Sequence, residues 1–123
     1  MLKKVLILLL LFILQPASSN ELKGEMESAQ KSLVYLYTNN CGYCVKFNPL
    51  YNKLEKNYNS KYKFYKIDAN SEYGQRTMQK LNAYYVPYVV LMDNNKQTLN
   101  RISPQCLLNY SCIKDAVDKF LYL

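Results

Sequence analysis

Two cysteines three positions apart, Cys41 and Cys44, stand in the stretch Asn40-Cys41-Gly42-Tyr43-Cys44-Val45-Lys46-Phe47. An apolar run precedes them and a helix-like pattern follows. A strand that delivers such a pair to a helix N-terminus places the first sulfur among unpaired amide N–H groups, at the positive end of the helix dipole. That field favours thiolate over thiol, and the thiolate is the reactive species. Cys41 is therefore the candidate nucleophile and redox-active sulfur, and Cys44, one turn further in, the candidate resolving thiol. A structural disulfide and half of a zinc site are the competing readings of the pair. Cys106 and Cys112 form a second local pair, six positions apart. They read as a structural disulfide between the last strand and the last helix, with an electron-relaying pair as the alternative.

The rest of the composition narrows the chemistry. The chain has no histidine, which excludes a Cys–His dyad and any His-containing metal site. No metal and no cofactor is expected. The basic residues Lys53, Lys56, Lys61, Lys63, Lys66, Lys80 and Lys96 are scattered, as on a solvated surface, and no nucleic-acid partner is expected.

The N-terminus reads as an address. Lys3 and Lys4 form a basic start, Val5 to Leu14 an apolar run, and Ala17-Ser18-Ser19 a small-residue cleavage pattern. This predicts a secretory signal peptide over 1–19. The apolar run is about half the ~20 residues that a membrane span needs. Removing Lys3 and Lys4 takes the formal charge from +7 to +5. Residues 20–123 suffice for one domain with one core, and a monomer is expected.

The elements that must position the cysteines follow in order. Leu22, Met26 and Ala29 have helical spacing, which predicts a short helix over 20–31. Leu33 to Thr38 reads as a buried strand. Phe47, Leu50, Tyr51, Leu54 and Tyr58 define one face of a helix of about four turns that Pro49 bends without ending. Tyr62 to Asp68 is a second strand. Asn70-Ser71 opens a helix with Tyr73, Thr77 and Leu81 on one face. A third strand follows Pro87, and a turn at Asp93 to Lys96 returns the chain as a strand over Gln97 to Ile102. Ser111 is placed to cap a last helix that turns Ile113, Val117, Phe120 and Leu121 inward. The early strand–helix–strand crossover implies parallel pairing and the late hairpin antiparallel pairing. The expected fold is α/β, a mixed sheet of four to five strands with helices on both faces.

This layout resembles the thioredoxin fold over residues 30–122. Four features carry the resemblance: Cys41-Gly42-Tyr43-Cys44, Pro49 five residues after the second cysteine, the strand end Lys66-Ile67-Asp68, and Val86-Pro87. It implies an exported thiol–disulfide oxidoreductase of the periplasmic Dsb-type or thioredoxin-like kind. Its Pro87 would be cis, lying against the two sulfurs, and its Val86 backbone would pair with substrate. Gly42, Tyr43, Val86 and Pro87 would bind substrate, with Tyr88 also on that surface. The Gly-Tyr dipeptide is similar to that of bacterial Dsb-type isomerases and reductases, where thioredoxin usually carries Gly-Pro. Without a dimerisation domain, a full isomerase is not expected. Partners would be protein thiols and disulfides and a membrane or soluble redox partner. The absence of a histidine between the cysteines favours the reducing direction. A non-catalytic binding or maturation module of the same fold is the alternative.

Two departures from the family pattern matter. Asn40 replaces the usual tryptophan. Tyr35 replaces the buried acid six residues before the first cysteine, leaving Lys66, the usual partner of that acid, without a carboxylate there. Water, Lys66 or the Tyr35 hydroxyl could then handle the proton of Cys44, although a phenol with a pKa near 10 is a poor base. Slower resolution with retained activity is expected.

Overall fold

A computed structural model of the chain describes residues 30–95 and 98–123. The signal peptide over 1–19 and all but the end of the helix over 20–31 lie outside the described residues. Four strands form one mixed sheet in the order β2-β1-β3-β4: β1 Lys31–Tyr37, β2 Tyr62–Asp68, β3 Tyr88–Met92 and β4 Leu99–Ile102. β1 runs parallel to β2 and antiparallel to β3, and β4 closes the antiparallel hairpin. Leu33, Leu36, Val89, Val90 and Leu91 are fully buried. Central strands covered on both faces explain why these segments read as continuous apolar runs rather than alternating ones.

β1 begins two residues before the expected Leu33, because Lys31 and Ser32 pair with Tyr62 and Lys63. Lys31 is thus strand, not the end of a helix. Its ammonium reaches the carbonyls of Phe120 and Leu123 and lies 4.7 Å from the Phe120 ring centroid. A cation at the C-terminal end of a helix complements the dipole there. The expected start of β4, Gln97, lies outside the described residues, and the strand is described from Leu99. Thr98 closes the turn, accepting from the Asp93 N–H at 3.2 Å and donating to Asp93 Oδ1 at 3.3 Å.

Helix α1, Gly42–Tyr58, continues through Pro49 and buries Cys44, Phe47, Tyr51, Leu54 and Tyr58, the face its spacing predicts. Helix α2, Glu72–Leu81, starts on Ser71, whose hydroxyl accepts from the Gly74 N–H at 2.9 Å. Its inward face matches the predicted one at Leu81 but not at Tyr73. Gly74 and Leu81 are buried and Met78 packs on the core, while Tyr73 is 58% exposed. The close approach of Gly74 to the end of β2 sets this rotation. A four-residue helix α3, Pro104–Leu107, was not anticipated from the pattern. Helix α4, Tyr110–Phe120, is capped by Asn109 rather than Ser111. Asn109 has extended backbone and its Oδ1 accepts from the Cys112 N–H at 3.2 Å, so Ser111 already lies inside the first turn. Ile113, Val117 and Phe120 are buried and Leu121 packs at the margin of the core.

The sheet separates two apolar clusters. α1 and α4 pack on the face carrying Leu33, Tyr35, Val89 and Leu91; α2 packs on the face carrying Val34, Leu36 and Val90. Tyrosines are unusually prominent in the first cluster. The Tyr62 hydroxyl donates to the Val117 carbonyl at 2.7 Å, and Tyr58 donates to Asp118 Oδ1, whose other oxygen meets Lys114 at 2.8 Å. These bonds join the end of α1 and the start of β2 to α4. Burial pushes the Tyr35 hydroxyl up to about 12 and those of Tyr51, Tyr58 and Tyr62 upward as well. Between the ordinary tyrosine pKa of about 10 and these raised values, the unfolded chain has lost protons that the folded chain keeps. The stability this protonation contributes is complete below pH ~10 and is lost as pH rises through the folded-state values. Thermal unfolding followed against pH is therefore expected to show a midpoint that falls steeply above pH ~10, with tyrosinate absorbance appearing together with the loss of helical signal.

Cys106 and Cys112 are joined by a disulfide with Cα atoms 5.4 Å apart, fastening α3 to α4. Cys106 is buried and Cys112 exposed. A loop this short gives about 2 kcal/mol on the chain-entropy account. Replacing both by alanine is expected to lower denaturant-measured stability by about that amount while leaving exchange at Cys41 intact. Loss of exchange in that variant would instead mark the pair as an electron relay.

Candidate active site

The first cysteine pair sits where strand β1 hands the chain to helix α1. After Tyr37 the chain leaves the ladder and turns, with the Cys41 N–H reaching the Thr38 carbonyl at 3.4 Å. Cys41 is the N-cap of α1, with φ −89° and ψ 112°. Its Sγ accepts from the Cys44 N–H at 3.1 Å, and its carbonyl accepts from the Val45 N–H at 3.1 Å. The cysteine sulfur thus takes the position that an oxygen of Ser or Asp occupies at other helix starts. Cys41 and Cys44 are joined as a disulfide with Cα atoms 5.1 Å apart. Cys41 is half-buried and Cys44 is 1% exposed. One sulfur is within reach of solvent and the other is behind it. When the bond is reduced, the amide donor and the helix dipole would favour negative charge on the outer sulfur.

The Val86–Pro87 peptide bond is cis. Tyr88, the first residue of β3, pairs with Leu36 near the end of β1. β3 therefore starts at the end of the sheet where β1 stops, and Val86-Pro87 shares that end with the cysteines. Cys41 and Val86 pack against the same apolar cluster. Pro87 is buried and Val86 half-buried. Gly42 is exposed, and a Cβ added there would meet nothing within 4 Å. Tyr43 is 61% exposed, with the Lys46 ammonium 5.6 Å from its ring centroid. Tyr88, by contrast, does not face the surface. It is 2% exposed, and its hydroxyl lies among the Leu81 carbonyl and the Arg101 guanidinium. The alternation of β3 sends its side chain to the α2 face of the sheet; Tyr84, 80% exposed, and Tyr85, 45% exposed and edge-on to Tyr88 at 5.7 Å, are the aromatics left outside.

Behind the cysteines, Tyr35 is fully buried. Its hydroxyl has two acceptors in reach, Asn48 Oδ1 at 2.9 Å and the Cys44 carbonyl at 3.2 Å. It is a donor here, and burial keeps it protonated. Lys66 is paired in register with Tyr35 but is exposed. Its Nζ lies 5.0 Å from the Tyr37 ring centroid and 5.9 Å from that of Tyr35, facing aromatic rings. Among the described residues no charged side chain is buried. Asn48 is the residue that sequence reasoning passed over. The available signal was its spacing, one helical turn beyond Cys44 on the same side of α1.

The pattern of the Thioredoxin family matches residues 14–107. The chain belongs to the thioredoxin family. Its fold is also that of solved thioredoxin-like structures. The Trx4 domain of ERdj5 superposes with a TM-score of 0.62 at 22% identity, covering 76% of this chain and 81% of that one. Thioredoxin from Fasciola hepatica gives 0.64 at 18% identity, covering 83% and 92%. Oxidised thioredoxin from Plasmodium falciparum gives 0.62 at 20% identity, covering 83% and 91%. No curated protein matches the sequence. Membership of the family, together with Cys41 and Cys44 at disulfide distance, makes this a thiol–disulfide redox domain.

Proposed function

We propose that the protein is an exported thiol–disulfide oxidoreductase acting on protein disulfides, working in the reducing direction in the periplasm, as a monomer recharged by a membrane or soluble redox partner. The observation that carries the redox reading is the asymmetry of the pair: Cys41 reachable at the head of α1, Cys44 buried and bonded behind it. The basic start, apolar run and small-residue pattern of residues 1–19 support export. The absence of histidine between the cysteines supports the reducing direction.

In that direction the Cys41 thiolate attacks one sulfur of a substrate disulfide. A Cys41–substrate disulfide forms and the other substrate sulfur leaves as thiolate, which takes a proton from water. Cys44 then gives up its proton and attacks Cys41 Sγ. The Cys41–Cys44 disulfide forms, and the second substrate sulfur leaves and is protonated. The substrate gains two electrons and two protons, and the pair is oxidised. Gly42 and Tyr43 beside the outer sulfur, with the Val86 backbone and the apolar Pro87, would receive an extended segment of substrate.

The test is Cys44→Ser expressed with its own leader. Covalent adducts through Cys41, released by reductant and carrying periplasmic proteins, are expected. A partner held without a covalent link would instead indicate a binding module. Alkylation of the wild-type pair in cells checks direction, and a mostly oxidised pair would reverse the assignment.

A further inference from the structure

Among the described residues no buried carboxylate stands behind the resolving cysteine, and two uncharged side chains are arranged around its backbone. Tyr35 has a single hydroxyl hydrogen, placed between Asn48 Oδ1 at 2.9 Å and the Cys44 carbonyl at 3.2 Å. Its ring is held edge-on by Phe47 at 4.8 Å and tilted against Tyr51 at 5.2 Å, so the hydroxyl has little freedom to seek other partners. Asn48 lies one turn after Cys44, which closes a bracket from strand β1 to the α1 backbone to the α1 side chain. The helix needs support at this turn. Pro49 has no N–H, so the Val45 carbonyl lacks the donor that would normally come from four residues on. The turn carrying Cys44 is thus short of one backbone bond on one side.

We infer that Asn48 is a positioning residue for the resolving step: the Tyr35 hydroxyl hydrogen is shared between the Asn48 amide oxygen and the Cys44 carbonyl, and this bracket ties both ends of one turn of α1 to strand β1 and fixes the turn that aims the Cys44 sulfur at Cys41. The titratable and charged groups around Tyr35 are Tyr37 on its own strand, Tyr51 on α1 and Lys66 on β2, none of them a carboxylate. The bracket therefore keeps one geometry across the pH range in which thiols ionise. This inference rests on the dithiol reading above only in taking Cys41–Cys44 as a pair that opens and closes.

Equilibration of the full mature chain with glutathione redox buffer tests it without a protein substrate. Asn48→Ala is expected to make the pair about tenfold easier to reduce, about 30 mV toward the oxidising side. Tyr35→Phe, which removes one oxygen and keeps the ring, is expected to do the same. The double variant is expected to lose no more than either alone, since both act through one bracket. With a small aromatic disulfide as probe, attack by Cys41 should stay within about twofold of wild type while closure by Cys44 slows about tenfold. Closure equilibria within about twofold of wild type, additive losses in the double variant, or equal slowing of both steps would each overturn the inference. If Asn48→Ala does not fold, Tyr35→Phe decides by the same readings. Failure of wild type to exchange with proteins, with the closure shifts intact, would count against the proposed function alone.

Discussion

Cys41→Ser is expected to reduce disulfide exchange with a protein substrate by roughly a thousandfold or more, to the level of the uncatalysed reaction. The sulfur at the head of α1 is the only one of the active pair that a large disulfide can approach, because Cys44 is 1% exposed. A serine hydroxyl in the same place keeps the helix cap, since an oxygen accepts the Cys44 N–H at least as well as sulfur does. It cannot supply the anion, because amide donors and a helix dipole lower a pKa by a few units and a hydroxyl needs many more. Folding should therefore be retained while chemistry is lost. The comparison that isolates the nucleophile is Cys44→Ser, which should still form the first mixed disulfide at close to the wild-type rate. The measurement is turnover of a reducible protein disulfide beside the wild-type chain, with far-ultraviolet dichroism to verify the fold. Substantial turnover by Cys41→Ser would move the nucleophile to Cys112, the exposed member of the other pair.

Gly74→Ala is expected to destabilise the protein by at least ~3 kcal/mol, a fall of roughly 15 °C in unfolding temperature for a domain of this size. The sign is opposite to the usual one, since in a free helix alanine is better than glycine by about 1 kcal/mol. Here the first turn of α2 lies directly on the end of β2. A Cβ on Gly74 would stand 1.9 Å from the Asp68 carbonyl oxygen, 2.8 Å from its carbon and 2.9 Å from the Ala69 Cα. All three are backbone atoms, so no side chain can swing away. The helix would have to lift, breaking the Ser71 cap and withdrawing Leu81 and Met78 from the second apolar cluster. Thermal unfolding of the oxidised protein checks this; an unchanged or raised midpoint would mean that the helix can move at little cost. Redox chemistry should persist in whatever fraction is folded, because Cys41 and Cys44 belong to the other face of the sheet.

The sequence by itself determined the parts of this protein that are written within one or two turns of chain. Two cysteines three positions apart, between an apolar strand and a helical pattern, pointed to two sulfurs at a helix start, and the run of Phe47, Tyr51, Leu54 and Tyr58 to one helical face. Parallel and antiparallel pairing followed from connection lengths, so the mixed sheet was legible too; that Val86-Pro87 would lie beside the cysteines came only from the resemblance to the thioredoxin fold. Tertiary structure alone decided what depends on distances between elements. Tyr35 could be read as buried, but not that its hydroxyl donates to the Cys44 carbonyl and Asn48. Tyr88 was expected at the surface and turned to the far face, because the ladder with β1 sets which side each β3 residue takes. Asn109 displaced Ser111 as a cap once α3 had shortened the connection. Gly74 carried no sequence signal beyond a weak helix former, since the carbonyl that excludes a Cβ there belongs to another strand. Periodicity reports which way a side chain points from its own element; it holds no information on what arrives opposite, and that is set when the elements pack.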